Sequence, residues 1–115
     1  MGARKANSMI ILNEVIIGRV YKIFNIIDEK VYIGSTVKPL VKRLGDHIYS
    51  YNINTNMDLY HHFRLFGINN FRIELLEWKH VDKLSELYQL EQKWIDRENP
   101  KNLLNNKKTY INAKN

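Results

Sequence analysis

Two runs rich in β-branched and aromatic residues lie close together in the first third of the chain. They extend over Val15 to Phe24 and Lys30 to Gly34, and residues of these types favour the pleated, half-buried surface of a sheet. The connection from Asn25 to Glu29 is as short as that of a hairpin. The pattern therefore predicts that the fold begins with two antiparallel strands.

Helical periodicity and turn residues divide the rest of the chain into three helices and one further strand. Thr36 is placed to cap the first helix and Asp82 the third, whereas Gly67 ends the second. The predicted elements are a helix from Val37 to about Tyr51, a helix from Asp58 to Phe66, a strand from Phe71 to Leu76, and a helix after Asp82 that runs to about Arg97. The order β-β-α-α-β-α predicts an α/β protein of the α+β kind, with a small three-stranded, mainly antiparallel sheet flanked by helices.

Length and composition fit one domain, because 115 residues leave little room for a second core. Residues 1–8 differ in composition from the rest and precede Met9, so we expect a leader or disordered segment there, a folded domain over 9–106 and a tail over 107–115. The absence of cysteine excludes disulfides and thiolate zinc sites. No apolar run reaches the length of a membrane span, and we expect an intracellular protein with no membrane partner.

The chain is basic, with 18 Lys and Arg residues against 12 Asp and Glu, which give a formal net charge of +6. Its sequence pI is about 9.6. Such an excess favours an anionic partner. A basic protein without such a partner is the alternative that charge alone leaves open.

Two polar side chains, Arg43 and His47, lie one turn apart on the first predicted helix. They follow the border of an apolar face formed by Leu40, Val41, Leu44 and Ile48, which we expect to pack on the sheet. Arginine suits the bidentate geometry of a phosphate, and histidine titrates near neutral pH and can assist proton transfer. Taken alone, such a pair is more often a solvated basic face. Because two tyrosine-bearing strands precede this pair in the chain, a phosphate site is the favoured interpretation here.

A glutamate, Glu91, interrupts the apolar stripe of the third predicted helix. The stripe consists of Leu84, Leu87, Tyr88, Trp94 and Ile95. Burying an unpaired carboxylate costs roughly several kcal/mol, so Glu91 needs an arginine, a hydrogen-bond network or a metal ion as a partner. A structural salt bridge to Arg43 or Arg72 is an equally good explanation without further context.

Several segments together carry a resemblance to a known family. They are Arg19-Val20-Tyr21, Val31-Tyr32-Ile33-Gly34, the pair Arg43 and His47, Leu90-Glu91-Gln92-Lys93-Trp94-Ile95, and Leu103-Leu104-Asn105-Asn106. In this order and spacing they resemble the GIY-YIG nuclease family from about Gly18 to Asn106. The resemblance departs from the family at Arg19, where glycine is usual.

The resemblance implies catalytic roles for Tyr21, Tyr32, Arg43, His47, Glu91 and a downstream asparagine. We expect Tyr21 to be the general base and Tyr32 to orient the phosphate. A phenol with a pKa near 10 is a poor base at neutrality unless cations lower that pKa, and Arg43, His47 and Lys22 are candidate sources of charge.

Further roles follow from the same resemblance. Glu91 is expected to hold the catalytic metal ion, Mg²⁺ or Mn²⁺. Asn105 is the preferred asparagine near the substrate, with Asn106 as the alternative. Independently of the resemblance, Arg19, Lys22 and Gly34 are the expected substrate-binding residues. Arg19 could add a phosphate contact where the family has glycine, and Gly34 allows close approach of backbone or substrate.

The sequence thus predicts a metal-dependent endonuclease that hydrolyses DNA phosphodiester bonds, of a free-standing homing-type, phage or viral kind. It is expected to act as a monomer or as a homodimer on DNA. The main alternative is a DNA-binding module that uses the same fold without cleaving. A small basic structural protein is a third reading, but it leaves Glu91 unexplained.

Overall fold

The computed structural model describes residues 15–53 and 56–105. The predicted leader over 1–8, the tail over 107–115 and Asn106 lie outside these described residues. Within them the elements are β1 Ile16–Asn25, β2 Val31–Thr36, α1 Leu40–Ile53, α2 Asp58–Phe66, β3 Phe71–Val81 and α3 Leu84–Arg97, with short 3₁₀ turns at Ile68–Asn70 and Pro100–Asn102. The predicted order β-β-α-α-β-α is confirmed.

The three strands form one sheet in the order β2-β1-β3, and β1 runs antiparallel to both neighbours. Tyr21 lies opposite Gly34 in the β1–β2 ladder. On the other side of β1, Val20 pairs with Glu77 and Tyr21 with Leu75, so the register shifts between Val20 and Tyr21. A bulge of this kind bends a strand and re-aims nearby side chains, and this one lies beside Tyr21.

Helices cover both faces of the sheet, and each face has its own apolar cluster. On one face Tyr21 and Ile23 pack with Leu59, Tyr60 and Phe63 of α2. On the other, a second cluster joins the sheet to α3, and it consists of Val20, Val31, Ile33, Val81, Leu87 and Leu90. Full burial of one such aliphatic side chain stabilises the fold by roughly 1.5–3 kcal/mol. The central strand is therefore fixed from both sides.

The predicted start of the first helix is wrong by about one turn. Thr36 belongs to β2, and its hydroxyl accepts a hydrogen bond from the Lys38 amide, at 3.0 Å. The helix begins at Leu40, and the Pro39 carbonyl accepts the amides of Lys42 and Arg43. Thr36 thus shapes the turn before the helix and does not cap the helix itself.

The end of β3 and the cap of α3 also differ from the prediction. β3 continues beyond Leu76 to Val81, because β1 offers pairing partners along that whole length. Asp82 does not cap α3; Lys83 occupies the cap position without a side-chain bond, and the Asp82 amide donates to the Glu86 carboxylate at 3.0 Å. The bounds of α2 are as predicted, and Gly67, with a φ of 88°, ends it.

Two predicted apolar faces are only partly buried. On α1, Leu40 and Leu44 pack against the cluster, but Val41 is 76% exposed. On α3, Leu87 is buried, whereas Leu84 and Tyr88 are exposed. The prediction that Val41 packs on the sheet is therefore wrong, and the apolar stripe of α3 is exposed to solvent at Leu84 and Tyr88. None of the helices within the described ranges is long and apolar enough to cross a membrane.

Candidate active site

The register of the hairpin places the two motif tyrosines on the same face of the sheet. Tyr21 lies opposite Gly34, and Tyr32 lies opposite Ile23, so both side chains project from the face covered by α1 and α2. The centroids of their rings are 6.4 Å apart. The sequence left this geometry open, because the face depends on the length of the turn.

Gly34 is required by the packing of these two rings. A Cβ atom built on Gly34 would lie 2.6 Å from Cζ of Tyr21 and 3.0 Å from Cε2 of Tyr32. The space beside the glycine is therefore occupied by tyrosine. Its predicted contact with substrate stays a prediction, and its structural requirement comes from Tyr21.

The Tyr21 hydroxyl is held by two side chains of α1. Nε of Arg43 donates a hydrogen bond to it at 3.2 Å, and Nε2 of His47 lies 2.9 Å away. The Tyr21 residue is fully buried, and His47 is only 2% exposed. The predicted pair thus faces inward over the sheet and not outward into solvent.

Burial controls the protonation of this cluster. It raises the pKa of Tyr21 above its ordinary value, although the nearby Arg43 guanidinium opposes the shift. It raises the pKa of Tyr32 as well. Burial, assisted by the charge of Arg43, lowers the pKa of His47 to about 4. His47 is therefore neutral at neutral pH, and at Tyr21 the effect of burial on the pKa outweighs that of the Arg43 charge.

Tyr60 of α2 completes the cluster, and sequence reasoning missed it. Its hydroxyl lies 3.1 Å from Nδ1 of His47, so both ring nitrogens of the histidine face a tyrosine oxygen. Tyr60 lies 13 residues beyond His47 on a different helix. No local spacing signals such a contact, because it depends on how α1 and α2 pack.

Glu91 lies beside this cluster and has a hydroxyl as its partner. The Ser35 hydroxyl, at the end of β2, donates a hydrogen bond to the Glu91 carboxylate. Burial raises the pKa of Glu91, while Ser35 and the charge of Arg43 oppose that shift. Arg72, a partner considered from the sequence, instead donates to the carbonyls of Asn69 and Phe71.

Ser35 is the second residue that sequence reasoning missed. It follows Gly34 directly, so strand alternation points it to the opposite face, toward α3. Glu91 accepts the Ser35 hydrogen bond on that face. Its charge contributes to raising the pKa values of Tyr21 and Tyr32, and the Arg43 charge acts to lower the pKa of Glu91. The carboxylate and the tyrosine cluster thus share one edge of the sheet.

The three predicted substrate-binding residues separate in the structure. Arg19 projects from the same face as Tyr21, and its guanidinium donates to the Lys38 carbonyl just before α1, at 3.4 Å. Lys22 projects from the opposite face, where its ammonium lies 3.8 Å from Glu74. Lys22 is therefore not brought together with the cluster, because alternation along β1 turns it away from Tyr21.

Asn105 pairs with the edge of β2. Its side-chain oxygen accepts the Ile33 amide at 3.0 Å, and its side-chain nitrogen donates to the Ile33 carbonyl at 2.8 Å. Leu104 continues the pairing by donating its amide to the Val31 carbonyl. Both polar groups of the Asn105 amide are thus used on the strand that carries Tyr32. Its predicted role beside the substrate stays a prediction.

Comparison with known families gives this arrangement a name. A family model described as the GIY-YIG catalytic domain matches residues 17–110. The chain belongs to the GIY-YIG family. The match includes both tyrosine strands, the Arg43–His47 helix and the Glu91 helix, and the order and topology of the described elements are those of a GIY-YIG domain.

One curated relative of this GIY-YIG chain is uncharacterized protein 019R of Invertebrate iridescent virus 6. The two are 33% identical over 79 residues, which cover 69% of this chain and 28% of the viral protein. The match therefore spans well under a third of that relative's length. No solved structure matches the chain.

The GIY-YIG site offers one carboxylate for a metal ion. No group of three or more His, Asp or Glu side chains able to hold a metal occurs within residues 15–53 and 56–105. A single carboxylate can suffice for Mg²⁺, because this ion prefers hard oxygen ligands and retains several waters. Burial disfavours the charged form of the half-buried Glu91 carboxylate and raises its pKa, so a cation bound there would stabilise that charged form. The donor chemistry therefore fits Mg²⁺ or Mn²⁺.

Proposed function

We propose that this GIY-YIG domain is a metal-dependent endonuclease that hydrolyses phosphodiester bonds of DNA. The observation that carries the proposal is the Tyr21 hydroxyl, which is held between Arg43 and His47 close to the charge of Glu91. Hydrolysis of a phosphodiester needs a base, positive charge for the pentacoordinate state and protonation of the leaving oxygen. The cluster contains a candidate for each requirement.

Tyr21 is the proposed general base, and His47 is the proposed acceptor of the proton that the Tyr21 hydroxyl must first lose. The raised pKa keeps Tyr21 protonated at neutral pH, so the phenol must first lose its hydrogen. In the free protein the raised pKa of Tyr21 and the lowered pKa of His47 both oppose this transfer, so we propose that it occurs only in the complex with DNA. His47 then accepts the proton at Nε2, and the Arg43 guanidinium stabilises the phenolate that remains. The phenolate then takes a proton from the attacking water.

Arg43 and Tyr32 are the proposed phosphate contacts. Arg43 is partly exposed, and its remaining N–H groups can donate to a phosphate while Nε stays on Tyr21. Tyr32 is partly exposed and lies edge-on to His47, with their ring centroids 5.3 Å apart. The proposed role of the Tyr32 phenol is to orient a non-bridging oxygen of the phosphate.

Glu91 would hold the Mg²⁺ or Mn²⁺ ion, with Ser35 fixing the carboxylate. When bound, such an ion supplies Lewis-acid stabilisation of the charge on the phosphoryl and leaving oxygens. Glu91 directly follows the buried Leu90 on α3 and lies one turn after the buried Leu87, at the border of the packed face of that helix.

The net charge of the chain and its family membership support DNA as the substrate. The family acts on DNA, and a net charge of +6 favours a polyanion. One site of this kind cuts one strand per event, so the enzyme is proposed to nick as a monomer or to cut both strands as a homodimer. The viral relative agrees with a viral, phage or homing-type source.

A DNA-binding module without cleavage is the second candidate. The complete burial of Tyr21 favours it, because a base must meet its water. The contacts of Arg43 and His47 with Tyr21, and of Glu91 with Ser35, favour the enzyme, since binding alone needs none of them.

Cleavage of supercoiled plasmid with Mg²⁺ or Mn²⁺ distinguishes the two. The enzyme predicts nicked or linear product that disappears with EDTA and with Glu91→Ala. Glu86→Ala, which removes a carboxylate from the same helix outside the site, is the control expected to retain activity. Circular dichroism confirms that each variant is folded. An intact plasmid combined with a salt-sensitive mobility shift would select the binding module.

A further inference from the structure

Tyr60 occupies a position that the two tyrosine motifs do not account for. It comes from α2, is 4% exposed, and lies with its hydroxyl 3.1 Å from Nδ1 of His47. Its ring stacks on Phe63 and meets the His47 ring edge-on, at centroid distances of 5.9 Å in each case. The hydroxyl is thus held by packing on the side of His47 remote from Tyr21.

The hydrogen-bond chain has a direction that follows from its donors and acceptors. Arg43 can only donate to the Tyr21 oxygen. The buried Tyr21 hydroxyl needs an acceptor for its own hydrogen, and Nε2 of His47 is the neighbouring atom that can accept. Tyr21 is the more deeply buried of the two tyrosines, at 0% exposure against 4% for Tyr60, so the acceptor atom Nε2 is assigned to Tyr21. The hydrogen of neutral His47 is then on Nδ1, which donates it to the Tyr60 oxygen.

We propose that Tyr60 is a positioning residue that holds His47 in the tautomer able to receive the Tyr21 proton. This inference rests on the proposed function and deepens it. Without an acceptor at Nδ1, the hydrogen of His47 would be free to move to Nε2, where it would block the transfer. Tyr60 thus acts on Tyr21 through His47 and need not touch the substrate.

The proton transfer balances along this chain. The O–H bond of Tyr21 breaks and an N–H bond forms at Nε2 of His47, which leaves a phenolate beside Arg43 and an imidazolium. Both N–H groups of that imidazolium then face oxygen, one of Tyr21 and one of Tyr60. The phenolate takes a proton from the attacking water, and the proton that His47 afterwards releases balances the one that the leaving oxygen takes up.

Charged and titratable groups around His47 come from every element packed against it. They are Tyr21 of β1, Tyr32 of β2, Arg43 and Asp46 of α1, and Tyr60 of α2. The positive charge of Arg43 disfavours the protonated form of His47, and the negative charge of Asp46 favours it. Tyr60 is the one of these partners that contacts Nδ1, so its removal changes the tautomer without changing the local net charge.

Tyr60→Phe tests the proposal, because it keeps the ring and removes only the oxygen. Long-range nitrogen–proton NMR of isotope-labelled protein reads the tautomer of His47 directly, with the signal assigned from the spectrum of His47→Gln. We expect the wild type to carry hydrogen on Nδ1 and Tyr60→Phe to shift population to the Nε2–H form. Single-turnover plasmid cleavage is expected to slow by about tenfold, with KM unchanged.

Tyr51→Phe is the matched control. It removes a tyrosine hydroxyl from the same aromatic cluster, where Tyr51 meets Phe63 and not His47. We expect it to leave both the His47 tautomer and the cleavage rate unchanged.

Two outcomes would overturn the proposal. One is wild-type His47 with its hydrogen on Nε2; the other is a Tyr60→Phe variant with the wild-type tautomer and rate. A chain that never cleaves DNA, but whose Nδ1–H tautomer depends on Tyr60, would retain the positioning role while the proposed function fails. The spectrum therefore separates failure of the proposal from failure of the enzyme.

Discussion

Gly34 shows at the scale of one residue why a motif position can be intolerant of change. Its neighbour across the ladder is Tyr21, and a Cβ at this point would lie 2.6 Å from Cζ of the Tyr21 ring. The ring is fully buried and cannot swing toward solvent without losing its contacts with Arg43 and His47. The glycine therefore sets the position of the proposed base.

Gly34→Ala is expected to damage both stability and cleavage. Forcing one methyl into this packed space costs roughly 1–3 kcal/mol, and the displaced hydroxyl should lower the cleavage rate about 100-fold. Urea unfolding and single-turnover plasmid cleavage measure the two effects. Gly45→Ala on α1 is the control, because a Cβ there meets nothing within 4 Å. Equal behaviour of the two variants would contradict this account of Gly34.

Most of the polar cluster could be predicted residue by residue, but its contacts could not. Tyr21, Arg43 and His47 lie in the segments on which the resemblance to the family rests, whereas the contacts of Tyr60 and Ser35 have no signal in the sequence. The charge of Arg43 near Tyr21 could be anticipated, but burial outweighs its effect on the Tyr21 pKa, and burial depends on the packed fold. The type of each residue is read directly from the sequence, but the neighbours of its side chain depend on the packed fold.

At the scale of elements, the edge of β2 is completed by a segment 72 residues away. Leu104 and Asn105 bond to the backbone of Val31 and Ile33, in the strand that also carries Tyr32 and Ser35. The side-chain amide of Asn105 takes the place of a backbone unit from a neighbouring strand. Its loss would release the strand on which the site is built.

Asn105→Ala is therefore expected to loosen β2. Two hydrogen bonds to Ile33 disappear, and leaving such groups unpaired costs roughly 1–3 kcal/mol. Hydrogen exchange should show faster loss of protection at the Ile33 amide than at the Ile23 amide of the central strand. Lys101→Ala, at an exposed position nearby, should leave exchange unchanged. Unaltered protection at Ile33 in Asn105→Ala would contradict this role.

Element order was predictable and element ends were less so. Periodicity and turn residues indicated all three helices and three strands, and the bounds of α2 agree. The starts of α1 and α3 differ because Thr36 and Asp82 make other bonds, which depend on the strand before each helix. The extra length of β3 comes from pairing with β1, which is a tertiary contact.

At the scale of the whole molecule, buried His47 connects the site to stability. Its pKa in the folded protein is about 4, below the ordinary value of 6.5. Between these two pH values the unfolded chain binds a proton at this residue and the folded chain does not. Stability from this group is therefore fully present above about pH 6.5 and is lost as the pH falls toward 4.

The free energy of unfolding is expected to fall by about 3 kcal/mol at most across that interval because of His47. Urea titrations at a series of pH values measure it, and His47→Gln removes this part of the pH dependence. His61→Gln, at an exposed position, should retain it. The comparison of variants cancels the carboxylates Asp28, Asp46, Glu77 and Glu91, whose pKa values also shift. Identical slopes in wild type and His47→Gln would show that His47 is not buried neutral.

The most direct test of the proposed centre is single-turnover DNA cleavage by Tyr21→Phe. This change removes one oxygen from the buried cluster and leaves the ring that packs beside Gly34. With Mg²⁺ present and the fold confirmed by circular dichroism, we predict a loss of rate of about 100- to 10,000-fold, the range typical of a general base. Tyr51→Phe should cleave at the wild-type rate. A folded Tyr21→Phe variant that also cleaves at the wild-type rate would contradict Tyr21 as the base.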